Sequence, residues 1–384
     1  MNSIGKKPTL RVAIAGGGLL GRLSAWRLLR EGADVTLFEA GSLSRCPGAA
    51  RTAAAMISPL SEVVDSERLI YDMGIRGLSL WPLWNQQLSK PIHYCASGSL
   101  VVAHSQDASQ LHQFAEKLRH HLSPDEKDQT RAQDHKRESS TQEWQWLDSQ
   151  QLKDIEPELS HFHRALHLKR EAYLDNHALL DQLLVEIKSL GGAAQEYTKV
   201  ENLESGRLSI NGEEHSFDWV IDCRGLGAKD AIKDLRGVRG EVLWVKTKEV
   251  QLQRPIRFMH PKYKLYVVPK PDHQYIIGAT EIESEDLSPM SLRSNLELSS
   301  ALYSLHPAFS EARITATDVN LRPALMDHRP RLCAEPGLIR ANGLYRHGYL
   351  LAPVVVENIV AKVLDRSPAA FASELTPPNQ TPTV

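Results

Sequence analysis

The chain lacks any apolar run approaching the ~18 residues that a bilayer-spanning helix needs. Cysteine is scarce: Cys46, Cys95, Cys223 and Cys333 are scattered, with no C-x-x-C spacing. That fits buried thiols in a reducing compartment better than a disulfide framework. An excess of charge of either sign is also missing. Lys and Arg number 45 against 47 Asp and Glu, a formal charge of −2. That balance gives no argument for nucleic acid or an anionic membrane surface as a partner. Neither G-x-S-x-G nor a Ser-His-Asp set is visible. The expectation is a cytoplasmic protein with no nucleic acid and no membrane as partner. Lys6 and Lys7 before an apolar stretch imitate a signal peptide, but cleavage there would remove the glycine motif that follows.

What is present is globular in composition, with 42% hydrophobic and 24% charged residues. A length of 384 residues suggests two domains, at ~100–200 residues each. The stretch from Leu10 to Glu39 organises the rest. Residues 10–15 are short and aliphatic, as in a buried parallel strand. They run into Gly16-Gly17-Gly18-Leu19-Leu20-Gly21, a G-x-G-x-x-G match, and then into a helical pattern that Gly32 ends. A second strand over 35–38 leads to Glu39. In this order Gly16 permits the tight turn, Gly18 lets a pyrophosphate approach the backbone, and Gly21 lets helix pack on strand. Helix N-terminal amides bind the phosphates, and Glu39 is placed to accept from an adenosine ribose hydroxyl. The acid disfavours a 2′-phosphorylated nucleotide and leaves FAD and NAD both open.

Small residues dominate from Gly41 to Pro59, where a flat ring could lie against the backbone and Arg51 and Thr52 could reach phosphate. Residues 67–88 read as a helix with Leu69, Ile70, Met73, Leu80 and Leu83 toward the core. Pro91 to Ala103 reads as a hairpin turning at Ser97-Gly98, where a second domain begins. Residues 120–143 are rich in charge and poor in apolar groups, a solvated loop. His161, His163 and His167 lie close in sequence but alternate in direction along a strand, so no metal site is expected. An amphipathic helix spans 174–190. Strands follow over 200–221, with turns at Ser205-Gly206 and Asn211-Gly212. The second glycine turn, Cys223-Arg224-Gly225, returns the chain to the nucleotide domain, which must therefore be discontinuous. Antiparallel strands over 240–246 and 264–280, helices over 291–305 and from Val354, and a frayed tail from Ser367 complete the chain.

Taken together, these residues resemble the flavin-dependent glycine oxidases of thiazole biosynthesis, within the wider D-amino-acid oxidase family. The resemblance is carried by the fingerprint with Glu39, the run Ala53-Ala54-Ala55-Met56-Ile57-Ser58-Pro59 and Glu156-Pro157-Glu158-Leu159. Val238-Arg239-Gly240-Glu241-Val242-Leu243, Tyr266-Val267-Val268-Pro269-Lys270 and Ile277-Gly278-Ala279-Thr280-Glu281 extend it. Leu321-Arg322-Pro323 and the run from Tyr345 to Pro353 close it. It implies FAD as cofactor and an α/β fold, α+β overall. A Rossmann-like FAD-binding domain of the glutathione-reductase type would carry a discontinuous antiparallel-sheet substrate domain. The first would hold residues 1–90, 145–232 and 318–384, the second 91–144 and 233–317.

By the same resemblance Arg322 matches the carboxylate-binding arginine, Tyr266 and Arg346 match further substrate-pocket residues, and Met56 matches a pocket residue near the flavin. FAD contacts are implied at Gly16, Gly18, Leu19, Leu20, Gly21, Glu39, Ala40, Arg51, Thr52, Ala54, Ala55, Met56, Val200 and Gly225. The run Arg346-His347-Gly348-Tyr349-Leu350 completes that set. Three features depart from the family's pattern. His347 stands where the family usually has Asn, as Leu344 does for the His before the aromatic. Ala324-Leu325-Met326-Asp327 replaces a small turn, and Ala54-Ala55 meets Met56 directly where Ala-Ala-Gly is usual. These departures bear on pocket size and substrate rather than on FAD.

The implied reaction is oxidative deamination of glycine, with sarcosine or small D-amino acids as further substrates. An arginine fork grips the substrate carboxylate bidentately, and hydride leaves the neutral amine for the flavin. No protein acid or base is expected. Molecular oxygen would regenerate FAD and give hydrogen peroxide, while the imine hydrolyses to glyoxylate and ammonia or passes to a thiazole-synthesis partner enzyme. Two other readings stay open: a flavin dehydrogenase feeding a quinone or carrier, and a nucleotide-binding scaffold without oxidase activity. Assembly into a homo-oligomer is left open.

Overall fold

The computed structural model describes residues 9–123, 143–260 and 264–376. Strand Arg11–Ala15 lies inside a six-stranded sheet, parallel to Asp34–Phe38 on one side and Trp219–Asp222 on the other. Leu338–Asn342 continues the parallel order, Ala193–Gln195 closes the far side, and Arg331–Glu335 adds an antiparallel edge. Both faces of the sheet are covered, which is why the first strand is aliphatic from Val12 to Ala15. Val12 and Ile14 pack with the helices Leu19–Arg30, Asn176–Ser189 and Gly348–Val363. Ala13 and Ala15 face the opposite way, against Val200, Leu203 and Leu208 of a three-stranded antiparallel sheet over 200–216.

A second sheet has eight strands, antiparallel except where Ile256–Met259 runs beside Ser99–Ala103. Alternation along its strands separates two faces. Leu243, Val245, Leu265 and Val267 pack on helix Leu292–Leu305. Val242, Trp244, Tyr266 and Val268 turn the other way, toward Ala54 and Tyr173. Between the two large sheets lies a small one formed by Met56–Ile57, Ala172–Leu174 and Tyr94–Cys95. Lys270 ties it to the larger sheet: its buried ammonium donates to the carbonyls of Ala54 at 2.8 Å and Leu174 at 2.7 Å.

Several expectations change. Tyr94–Cys95 and Ser99–Ala103 do not form a hairpin; they join different sheets. Gly98, at φ +76°, passes so close to the neighbouring strand that a Cβ there would stand 2.6 Å from the Leu168 carbonyl oxygen. Trp144–Asp148, Arg164–Leu168 and the end of Arg313–Ala324 belong to the eight-stranded sheet, so the boundaries at 145 and 318 do not follow the sheets. Their partners are distant in sequence, and strand periodicity carries no information about which sheet a strand will join. In helix Arg68–Gln87, Ile70, Met73 and Leu80 are buried as expected, but Leu83 is exposed, and Trp81 and Trp84 join the core instead. The charged stretch overlaps the end of helix Ala108–Leu122, and its residues 124–142 lie outside the described residues. The tail is ordered at least to the short helix Ala372–Leu375, where Leu375 is buried. His161 and His167 face separate backbone carbonyls, those of Leu305 and Ser97.

Candidate functional site

One cavity of about 1170 Å³ runs from the glycine turn to the eight-stranded sheet. Its nucleotide end follows from backbone geometry. Gly16 has φ +106°, and a Cβ on it would meet the Cys223 carbonyl oxygen at 2.5 Å; one on Gly21 would stand 1.9 Å from the Gly16 carbonyl oxygen. Strand, turn and helix can approach this closely only with glycine at both positions. Gly18 is different. Nothing stands within 4 Å of its missing side chain, and the same is true of Gly48 and Gly348, which also line the cavity. These open glycines leave room for a ligand to approach bare backbone.

Glu39 accepts from Gly17 N–H at 2.7 Å and Gly41 N–H at 2.8 Å, keeping lone pairs for a ribose hydroxyl. Gly348 opens the sixteen-residue helix Gly348–Val363, whose first amides have no intrahelical partner and face the cavity with Tyr349 and Leu350. These features fit FAD: a carboxylate for the ribose, helix N-termini for the pyrophosphate, and the small-residue wall of Ala54, Ala55 and Met56 for the ring. Ala55 holds a left-handed φ of +53°, beside the point where the run departs from the family's Ala-Ala-Gly.

At the opposite end Tyr266 and Arg322 line the wall. The Arg322 guanidinium lies over Gly240, where a Cβ would come within 2.4 Å of Nη2. Its protein partners are carbonyl oxygens only, Thr280 at 3.0 Å and Arg239 at 3.3 Å, and no carboxylate pairs with it among the described residues. Burial pushes the Tyr266 hydroxyl above its ordinary pKa despite the opposing pull of Arg322 and Arg257, so it stays protonated as a hydrogen-bond donor. Arg346 is placed here too, but it is not free. Its Nε lies 2.9 Å from Glu62 Oε2, and Nη1 lies 3.6 Å from Glu281 Oε2.

Most of the expected cofactor residues meet on the wall: Gly16, Gly18, Leu19, Leu20, Glu39, Thr52, Ala54, Ala55, Met56, Gly225 and residues 346–350. Four do not. Gly21 is a packing glycine, and Ala40 is not on the wall. Arg51 is not on the wall; its guanidinium lies 3.3 Å from Asp181. The Val200 side chain is buried in the core with Ala13 and Phe38.

Other residues carried little or no signal in the sequence. Arg22 is fully buried and donates to the carbonyls of Gly17, Leu180 and Leu43, holding the glycine turn in place. Glu62 and Arg257 line the cavity and pair at 2.7 Å across 195 residues of chain. His347 Nδ1 also lies 3.2 Å from Glu62. Burial alone would raise the Glu62 pKa, but Arg346, His347 and Arg257 override it and hold the carboxyl well below its ordinary value. Only the alternation of buried neighbours around Arg257 hints at an inward-facing charge.

The pattern of the family described as FAD dependent oxidoreductase matches residues 11–361. A putative thiamine biosynthesis oxidoreductase ThiO of Rhizobium etli is 35% identical over 358 residues, covering 92% of this chain and 97% of that protein. The bifunctional protein ThiO/ThiG of Trichormus variabilis is 25% identical over 374 residues, which are 93% of this chain and 53% of that protein. The crystal structure of glycine oxidase from Geobacillus kaustophilus shares the fold, with a TM-score of 0.77 at 24% identity over 95% of this chain and 98% of that one. The glycine fingerprint alone left FAD, NAD and a scaffold without redox activity open, and the family match closes that choice. The chain belongs to the FAD-dependent oxidoreductase family and is of the glycine oxidase and ThiO type.

Proposed function

We propose that the protein oxidises glycine, with sarcosine and small D-amino acids as further substrates and molecular oxygen as electron acceptor. The observation that carries this reading is Arg322, a guanidinium on the cavity wall with carbonyl partners and no carboxylate of its own among the described residues. A planar fork in that state suits the carboxylate of a small amino acid, which it can grip bidentately. Tyr266 adds a hydroxyl donor beside it, and Met56 lies on the same wall.

Held by the acid end, the substrate presents its Cα–H toward the ring-binding wall, and much of the acceleration comes from that fixed geometry. Ala54, Ala55 and Met56 would hold the flavin ring, and FAD bound there would supply a two-electron acceptor for the Cα hydride, with oxygen reoxidising it to give hydrogen peroxide. The amine enters neutral and loses one proton to solvent as the C=N bond forms. Water then converts the imine to glyoxylate and ammonia. No side chain is asked to act as acid or base, in keeping with a Glu62 carboxylate already committed to cations. Fusion of the matched region to ThiG in a relative supports delivery of the imine to a thiazole-synthesis partner.

The test is a substrate screen under air that reads peroxide and oxo acid together. Glycine should give equal amounts of peroxide and glyoxylate. Rapid dye reduction with little peroxide would replace oxygen by a quinone or carrier as acceptor, and no turnover of any small amino acid would sink the reading.

A further inference from the structure

The substrate end of the cavity carries more charge than a single carboxylate grip requires. Arg257, Arg322 and Arg346 line it, as do Glu62 and Glu281. Strand register places Arg257 directly opposite Tyr266, and Tyr266 opposite Gly278, so Arg257 stands on the same sheet face as the expected substrate groups. Its neighbours Ile256 and Phe258 point into the core on the other face. Glu62 comes from a separate segment, the helix Pro59–Val63, and is held from behind. The buried Glu171 carboxylate accepts from Ser61 N–H at 2.6 Å and from the Ser99 hydroxyl. From that fixed base Glu62 Oε1 meets Arg257 Nη2 at 2.7 Å, while Oε2 lies 2.9 Å from Arg346 Nε and 3.2 Å from His347 Nδ1.

Asp65 and Lys117 also line this end and offset one another, 4.0 Å apart, so among the described residues the three guanidiniums and the two glutamates leave one positive charge, and the pairing pattern assigns that charge to Arg322. We infer that Glu62 is a specificity-determining residue: by occupying Arg257 and Arg346 it leaves the pocket complementary to one carboxylate and unfavourable to two. This rests on the reading of Arg322 as the carboxylate grip and deepens it to a substrate class, amines bearing a single carboxylate. The physical reason is discrimination by uncompensated charge. A second carboxylate entering a poorly solvated site must find a cation, and the cations beside Tyr266 already have a permanent anion. Remove that anion and Arg257 becomes a second receptor on the same sheet face.

Binding can be measured apart from turnover by titrating FAD-loaded protein with acetate, malonate and succinate and following the perturbation of flavin absorbance. In the wild type acetate binds and both dicarboxylates bind more weakly. Glu62→Gln keeps the shape of the side chain and removes its charge, and should shift the dicarboxylate-to-acetate affinity ratio by about tenfold or more toward the dicarboxylates. Adding Arg257→Met to that variant should abolish the shift. An unaltered ratio in Glu62→Gln, or a shift that survives Arg257→Met, overturns the assignment of Glu62 and leaves the Arg322 reading standing. Failure of acetate to bind the FAD-loaded wild type overturns both. If Glu62→Gln does not fold, Arg257→Gln tests the same charge balance. It should weaken acetate by about tenfold, since the wall loses its net positive charge, and an unchanged acetate affinity refutes the inference.

Discussion

At the scale of single residues the site depends on which cations are spoken for. Arg322 and Arg346 both lie on the cavity wall, yet Arg346 is between two glutamates, whereas among the described residues Arg322 has only carbonyl oxygens as partners. Arg322→Ala should therefore lower kcat/KM for glycine by on the order of a hundredfold or more, chiefly through KM, because two charge-assisted hydrogen bonds to a carboxylate are lost. Visible absorbance of the purified variant should show FAD retained. Loss of FAD with unchanged KM would refute the role. Arg322 was legible in the sequence through the motif around it. Glu62 and Arg257 were not, since what makes them matter is a contact between segments 195 positions apart. Residue type says that a charge exists; only folding says what neutralises it.

At the scale of elements the glycine turn separates two demands that one motif hides. The missing side chain of Gly21 is needed by the protein itself, because a Cβ there would overlap the Gly16 carbonyl oxygen at 1.9 Å. The missing side chain of Gly18 is needed by what binds, since the space beside it is open. Gly21→Ala should lower the melting temperature of the FAD-free protein, at a cost of about 2 kcal/mol or more for a backbone clash. Gly18→Val should leave that temperature nearly unchanged and weaken FAD binding, seen as a poorer flavin-to-protein absorbance ratio. Equal effects on the apoprotein would contradict the distinction. The element pattern here was readable because strand, turn and helix are contiguous. The hairpin expected at 91–103 does not form, for the complementary reason. Two strands either side of a glycine look alike whether they pair with each other or part company.

At the scale of the whole molecule the two large sheets meet through the small one, and Lys270 is a buried bolt between that small sheet and the eight-stranded one. Burial lowers its pKa from the ordinary lysine value to about 7, with Asp175 opposing only weakly. A base depressed in the folded state binds fewer protons than the unfolded chain does between about 7 and the ordinary lysine value near 10.5. The Lys270 contribution to stability should accordingly rise with pH across that window and fall as pH drops toward 7. Melting temperatures of the wild type and Lys270→Met over this range check it. The variant should be less stable, with two buried carbonyls unpartnered, and its profile should lack the alkaline rise. A parallel displacement of the two profiles would show that Lys270 does not titrate as described.

The local order of the chain determined the nucleotide end: a buried strand, three spaced glycines, a helix and an acid fold into one geometry because each is adjacent to the next. The motifs further along indicated FAD and a second sheet. Tertiary structure alone decided which strands entered which sheet, turned Arg51 away from the cavity and buried the Val200 side chain in the core. It also set Glu62 between Arg257 and Arg346. The reason is common to all of these. Sheet pairing and the neutralisation of buried charge are contacts between distant segments, and no local pattern encodes a partner that has yet to arrive.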